Sequence, residues 1–387
     1  GRVTDDNNFK IYSKKSNESC VDLNLKHFFG SSPKTILTDN TISKSYNKIS
    51  YDSRYIYKYL EDLLSLEAVG CKDWLTNKVD RCVGGKVAKQ QCVGQLQLPL
   101  NNCGVMALDF ETDNGIATSI GHSPISGLID PVAGSRNSIA EALTNIIWAP
   151  IKDNINGISL SANWMWPCKN KGEDARLFKA VEAVSEFAID LGINIPTGKD
   201  SLSMNQKYKD QEVKSPGTVI ISATGHCENI NFVVEPVFKK NYGSIYYINI
   251  SDDKFKLGGS SFSQIRGNIG LETPSIQNPE FFKKTFNVVQ DLIKNDLIIA
   301  GHDIASGGLI TSLLEMCFPS INISANIDLS ALNEKDSVKL LFSENCGLII
   351  QSKSDKIEKI FSQFSIEYYK IGEVISGDSM MIKNDSD

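Results

Sequence analysis

The stretch Leu297-Ile298-Ile299-Ala300-Gly301-His302-Asp303-Ile304-Ala305-Ser306-Gly307-Gly308-Leu309 decides how the chain is read. An apolar run, Leu297–Ala300, gives a buried strand. A polar turn with two glycines follows, and Leu309–Cys317 then has the spacing of a helix. A glycine pair at a helix start presents backbone N–H groups to a phosphate. Asp303, beside that pair, could hold a metal bridging the phosphates. The same residues also suit a plain helix cap, by Ser306 or Asp303, next to a buried histidine. His302 fits a general base and a structural hydrogen bond equally well.

Outward from this unit, strands and helices mix without the alternation of a doubly wound sheet. Downstream, Leu348–Gln351 and the segment around Ile382 read as strands. Upstream, Tyr246–Ile250 reads as a strand and Pro279–Lys294 as a helix. Earlier still, Val105–Phe110 and Val219–Ala223 read as strands, and Tyr55–Leu66, Ser138–Trp148 and Ala175–Leu191 as helices. Phe9–Tyr12 and Val21–Leu25 are short strand candidates, and Ser31–Lys34 marks a turn. A turn-rich stretch near Glu235–Ser244 marks a domain boundary. The fold class expected is α+β, in two domains.

The chain has 387 residues, a formal net charge of −6, 41% hydrophobic and 22% charged residues. This is the balance of an ordinary globular protein. Without a basic excess, nucleic acid is not an expected partner. No apolar run reaches the roughly 18–20 residues that span a bilayer, and no signal peptide is visible, so no membrane association is expected. Nine cysteines at irregular spacing, with no C-x-x-C pair, argue against a zinc site or a disulfide framework. A reduced, cytoplasmic protein is expected. The absent initiator Met leads to the expectation that the chain begins inside a larger product or after a processed tag.

Other candidate chemistry lies upstream. Glu141 and Asn145 are four apart on a helix and share a face, a spacing that suits Mg²⁺, or else a solvated surface. Gly198-Lys199-Asp200-Ser201 lies in an expected polar loop where Lys199 could touch phosphate, though no P-loop is present. Leu257-Gly258-Gly259-Ser260 is either a phosphate-approaching loop or a tight turn. Asp80–Val87 mixes charge and glycine, either around an anion near Lys86 or as a hairpin. Asn101-Asn102 at a strand entry offers two amides for metal or adenosine, or only a turn. Neither Cys103 nor Cys346 sits in a nucleophile elbow, so no catalytic cysteine is assigned.

The order of these motifs is more specific than any one of them. D-R-C-V-G-G-K-V-A (80–88), L-P-L-N-N-C (98–103), A-E-A-L-T-N (140–145), L-S-A-N-W-M (160–165), G-E-D-A (172–175), G-K-D-S-L-S-M (198–204), L-G-G-S (257–260) and G-H-D-I-A-S-G-G-L (301–309) form a series. The series resembles the second synthetase half of the large, single-chain phosphoribosylformylglycinamidine synthases, within the aminoimidazole ribonucleotide synthetase-like superfamily. The resemblance covers nearly the whole chain.

It implies residues 1–45 as the tail of a preceding half and linker, 46–235 as a dimerising α+β domain, and 240–387 as a C-terminal α+β domain. An echo of Gly1, Val3 and Ile11 in Gly372, Val374 and Ile382 fits that arrangement. The implied activity is ATP- and glutamine-dependent conversion of formylglycinamide ribonucleotide to formylglycinamidine ribonucleotide. The implied partners are a first synthetase half and a glutaminase domain of the same polypeptide, with a homodimer possible for the isolated piece. The implied cofactors are ATP or ADP with Mg²⁺. By motif, Asn102, Glu141, Asn145 and Asp303 fall on metal positions, and Asn101 and Ala305 on nucleotide positions. Neighbouring Ser306 could supply the hydroxyl donor that Ala305 lacks. Asn102 replaces a common Asp and Ala305 a common Ser. The resemblance further implies an auxiliary nucleotide site in this half and no turnover by the chain alone. A stand-alone synthetase-like enzyme and a non-catalytic nucleotide-binding or scaffold module are the competing readings.

Overall fold

The computed structural model describes residues 1–30, 34, 36–42, 44–76, 81, 84–240 and 243–385. The expected turn at Ser31–Pro33 lies outside the described residues, as do Asp80, Cys82 and Val83 of the first motif. Residues 1–38 form a unit of their own. In it β1 (Asn8–Tyr12) pairs antiparallel with β2 (Ser19–Asn24). The Phe9 and Phe28 rings meet edge to face at 5.8 Å.

The second unit, residues 39–387, holds two six-stranded sheets. The first contains β3 (Val87–Lys89), β4 (Gly104–Ala107), β5 (Gly115–His122), β6 (Ile158–Met165) and β7 (Asn194–Ser201). After a small hairpin of β8 (Asn205–Lys207) and β9 (Glu212–Lys214), β10 (Thr218–Cys227) completes it. The order is β3-β4-β5-β10-β6-β7, antiparallel except for the β6–β7 pair.

One face is covered by the helices Pro131–Ile146 and Glu173–Leu191. The inward residues of β5 are Gly115, Ala117, Ser119 and Gly121, because the first helix presses close. A Cβ on Gly121 would lie 2.2 Å from the Ala142 nitrogen. The Ser119 hydroxyl donates to the Ala142 carbonyl at 2.6 Å. The opposite face carries exposed Met106, Ile116 and Ile120.

The second sheet comprises β11 (Ser244–Ile248), β12 (Ile298–Asp303), β13 (Ser324–Asp328), β14 (Leu348–Ser352), β15 (Tyr369–Ile375) and β16 (Met381–Lys383), in the order β12-β14-β11-β15-β13-β16. Its helices include Pro279–Lys294, Gly308–Cys317 and Lys356–Gln363. A continuous core joins the two sheets, running from Ile139 and Trp148 to Phe282, Phe286 and Phe361. Gln290, fully buried, ties that seam: it accepts from Ile151 N at 2.6 Å and donates to the Ile147 and Ala149 carbonyls at 2.5 and 2.9 Å.

Several sequence expectations are corrected. The strand expected over 105–110 ends at Ala107. There Asp109 folds a tight turn, its carboxylate accepting from Glu111 N and Thr112 N at 2.9 and 2.6 Å. The helix expected from Ser138 begins seven residues earlier, at Pro131, capped by the Asp130 carboxylate on Val132 N. It stops at Ile146. The strand expected to reach Ile250 ends at Ile248. The helix expected over 55–66 is a 3₁₀ turn, Ser53–Tyr55, followed by helix Ile56–Leu64. The polar loop expected around Lys199 is β7, an edge strand. Its polar side chains suit an edge, where no second neighbour covers them.

Candidate functional site

The Pro131–Ile146 helix carries Glu141 and, one turn on, Thr144 against the end of β12. Glu141 Oε2 accepts from the backbone N–H of His122, at the end of β5, at 2.9 Å. Thr144 Oγ1 lies 3.5 Å from Asp303 Oδ2. Asp303 is 1% exposed, and its Oδ1 is buried without a hydrogen-bond partner. His302 Nδ1 is 3.5 Å from that oxygen, while His302 Nε2 pairs with Glu315 Oε2 at 3.0 Å.

A cavity of about 250 Å³ adjoins these groups, lined by Glu141, Thr144, Ala305, Ser306, Gly259 and Glu344 among others, with Asp303 behind Thr144 and outside the lining. Two glycine turns form its walls. Gly307 and Gly308, at φ +97° and +74°, turn the chain into the Gly308–Cys317 helix. A Cβ on Gly307 would meet Thr311 Oγ1 at 2.3 Å, so glycine is required there. Gly259, at φ +72°, turns the other wall, with its would-be Cβ 2.8 Å from Ser126. One carboxylate joins the walls: Glu344 Oε1 accepts from Ser261 N at 2.8 Å and from Gly307 N at 2.7 Å.

The electrostatics of the cavity are acidic. Burial pushes the Glu141 carboxyl up to about 8, and the charges of Asp303 and Glu344 add to the rise against the opposing His122 N–H. Burial also raises Glu344, although its two backbone donors oppose this. Burial opposes charge on His302, but Asp303 and Glu315 outweigh it and hold the imidazolium up to about 9. No Lys or Arg is among the cavity's described lining residues. Asp303 Oδ1, buried without a hydrogen bond and 3.5 Å from the His302 ring, and the Glu141 carboxyl offer oxygens to a cation. Among the described residues no three His, Cys, Asp or Glu side chains are grouped to hold a metal alone. Mg²⁺, which keeps waters and phosphate oxygens as ligands, needs no such group.

The structure therefore places Glu141, Ala305 and Ser306 on one cavity, with Asp303 behind it against Thr144. Asn102 stands nearby, its Nδ2 donating to the Gly301 carbonyl at 3.3 Å, two residues before Asp303. Asn145 is not among the cavity's lining residues and donates to the Ile120 carbonyl of β5 at 3.3 Å. Asn101 and Asn102 line a separate, wide concavity over β4, β5 and β10, together with Arg81 and Lys89. Asn101 donates to the Gln90 carbonyl at 2.7 Å, and its own Oδ1 is buried and unpartnered. Lys199 sits on edge strand β7, its ammonium bonded to Ser201, and lines neither cavity. Neither Glu344 nor Thr144 was given a role from the sequence: Thr144 lies inside the 140–145 motif, one turn after Glu141, while Glu344 is in no motif and only the fold carries it to the cavity. The described cysteines are free thiols, and burial pushes Cys103 and Cys317 up to about 12, away from a thiolate nucleophile.

The family model described as the FGAR-AT PurM_N-like domain matches residues 71–226, and that of the AIR synthase related protein, C-terminal domain, matches residues 251–383. The chain is 39% identical over 388 residues to the probable phosphoribosylformylglycinamidine synthase of Caenorhabditis elegans, covering 96% of this chain. The chain belongs to the phosphoribosylformylglycinamidine synthase family. The human phosphoribosylformylglycinamidine synthase is 38% identical over 311 residues, 80% of this chain. The chain spans 29% of the worm protein's length and 23% of the human one. Among solved structures, Thermotoga maritima PurL complexed with FGAR superimposes with a TM-score of 0.62 at 13% identity, over 94% of this chain and 53% of that one. The same protein complexed with ADP gives 0.60 at 14% identity, over 93% and 51%. At that identity the likeness establishes the two-domain α+β fold of the family and no more.

Proposed function

We propose that the chain is the second synthetase half of a phosphoribosylformylglycinamidine synthase, and that its cavity is an auxiliary Mg–nucleotide site. The whole protein converts formylglycinamide ribonucleotide to the amidine with ATP and glutamine in purine synthesis, in the cytoplasm. A first synthetase half and a glutaminase domain complete it, and the chain alone does not turn over. The uncovered face of the first sheet, with Met106, Ile116 and Ile120 exposed, is the surface that pairs with the first half, or with a second copy when the half is absent. Among the described residues no helix is long and apolar enough to cross a membrane.

One observation supports the site reading: a cavity between two glycine turns is lined by Glu141, Thr144 and Ser306, with buried Asp303 behind Thr144 at 3.5 Å. Glu141 and Asp303 would hold Mg²⁺; Asn102, just before β4, and Asn145, on the Glu141 helix, donate to backbone carbonyls here and would have to turn to join them. When bound, the metal supplies positive charge against the nucleotide phosphates. The protein's part is to offer the Ser306 hydroxyl to phosphate oxygens, to hold the two glycine turns in place through Glu344, and to exclude bulk water. Asn102 and Ala305 remove a charge and a hydroxyl relative to the family pattern, which suits a site that binds without catalysing.

Calorimetric titration of ADP and ATP, with and without Mg²⁺, tests this. Mg-dependent binding abolished by Glu141→Ala or Asp303→Ala is the expected result. Folded wild-type chain that binds no nucleotide under any condition would refute it.

A further inference from the structure

Glu344 is the one acidic side chain of the cavity that the family motifs leave without a role. Its Oε1 takes two backbone N–H groups, Ser261 N at 2.8 Å and Gly307 N at 2.7 Å, one from each glycine turn. It thus does two things at once. Mechanically, it fixes the separation of the two walls. Electrostatically, it places a negative charge where phosphate oxygens enter, in a cavity whose described lining has no Lys or Arg to offset it. A phosphate group arriving without a cation meets the carboxyl groups of Glu141 and Glu344. One arriving with a divalent cation brings a charge that they complement.

We propose that Glu344 is a specificity-determining residue that makes the cavity select metal-complexed nucleotide over free nucleotide. This rests on the reading of the cavity as a nucleotide site. The two actions of the side chain separate by substitution. Glu344→Gln keeps an oxygen that accepts from both turn amides but drops the charge. Glu344→Asp keeps the charge but is too short to reach both amides. Glu344→Ala loses both.

The test is a pair of calorimetric titrations of each variant, with ADP plus Mg²⁺ and with ADP plus EDTA, alongside hydrogen exchange at Ser261 and Gly307. In Glu344→Gln the ratio of the two dissociation constants should fall about tenfold, through tighter binding of free ADP, with turn-amide protection retained. In Glu344→Asp the ratio should stay near wild type while both affinities weaken and protection drops. Should Glu344→Gln fail to fold, the Asp variant still decides, because loss of the ratio there overturns the proposal. A wild-type ratio in Glu344→Gln also overturns it and leaves the nucleotide site standing. If wild-type chain binds neither form, the nucleotide reading falls and this inference falls with it.

Discussion

Replacing Glu141 by Gln should change the pH dependence of stability in a way that the cavity's geometry fixes. Burial, with Asp303 and Glu344 nearby, raises this carboxyl from 4.5 to about 8 in the folded chain. Unfolded, it titrates near its ordinary value. Between those two values the folded state holds a proton that the unfolded state has released. Stability from this group is therefore fully present below the unfolded value and is lost as pH rises toward 8. One proton contributes about 1.4 kcal/mol per pH unit, so pH 5.5 to 7.5 costs about 2.7 kcal/mol from Glu141 alone. In Glu141→Gln the side-chain amide has no proton to lose, and its oxygen can still accept from His122 N. Urea denaturation of both proteins at the two pH values isolates the effect, since every other group is shared. Wild type should lose about 2–3 kcal/mol more than Glu141→Gln. Equal losses would show that Glu141 is solvated like a surface carboxylate, and the cavity electrostatics described above would be wrong. Magnesium with ADP should restore the wild type at pH 7.5 and not the variant, because a cation favours the ionised form.

Other outcomes follow from the packing. Gln290→Leu leaves Ile151 N and two carbonyls without partners inside the seam, and should cost about 3–5 kcal/mol by urea denaturation. Gly301→Ala drives a methyl to 2.0 Å from the Trp148 ring and should cost about 2–3 kcal/mol, read as a lowered thermal midpoint. His302, held up to about 9, contributes stability that is complete below its unfolded value near 6.5 and is lost as pH rises through 9. His302→Gln should accordingly flatten the fall in stability between pH 7 and 9.5, by about 3 kcal/mol at most.

The sequence was most legible where one pattern had one explanation. Pro279–Lys294 and Gly308–Cys317 carry clear helical spacing, and the structure has both with those bounds. The glycine-rich turn after β12 was legible because few backbones other than a sharp turn need adjacent glycines. Strand β5 was not: its inward residues are Gly, Ala, Ser and Gly, sized to admit a helix rather than to look hydrophobic, so no alternation shows. Lys199 was misplaced for the opposite reason, since an edge strand with polar faces looks like a loop.

The site divides the same way. Glu141 and Asp303 were visible from spacing and motif order, and their meeting with Ala305 and Ser306 is a consequence of the helix Pro131–Ile146 packing on the end of β12. Glu344 was not visible. Its partners are backbone amides 83 and 37 residues away in sequence, and no residue pattern encodes a contact of that kind. Buried groups without partners, such as Asp303 Oδ1, are likewise a property of the fold alone.

Everything proposed for this half depends on its holding a metal–nucleotide site of its own. A crystal structure of the chain grown with Mn²⁺ and ADP, with manganese located by its anomalous scattering, tests that without an intermediate step. A manganese peak between Glu141 and Asp303, with phosphate oxygens facing Ser306 and the Gly307 turn, is the expected result. Manganese and ADP bound instead over Arg81, Lys89 and Asn101 on the open face of the first sheet, with no density between Glu141 and Asp303, would contradict it.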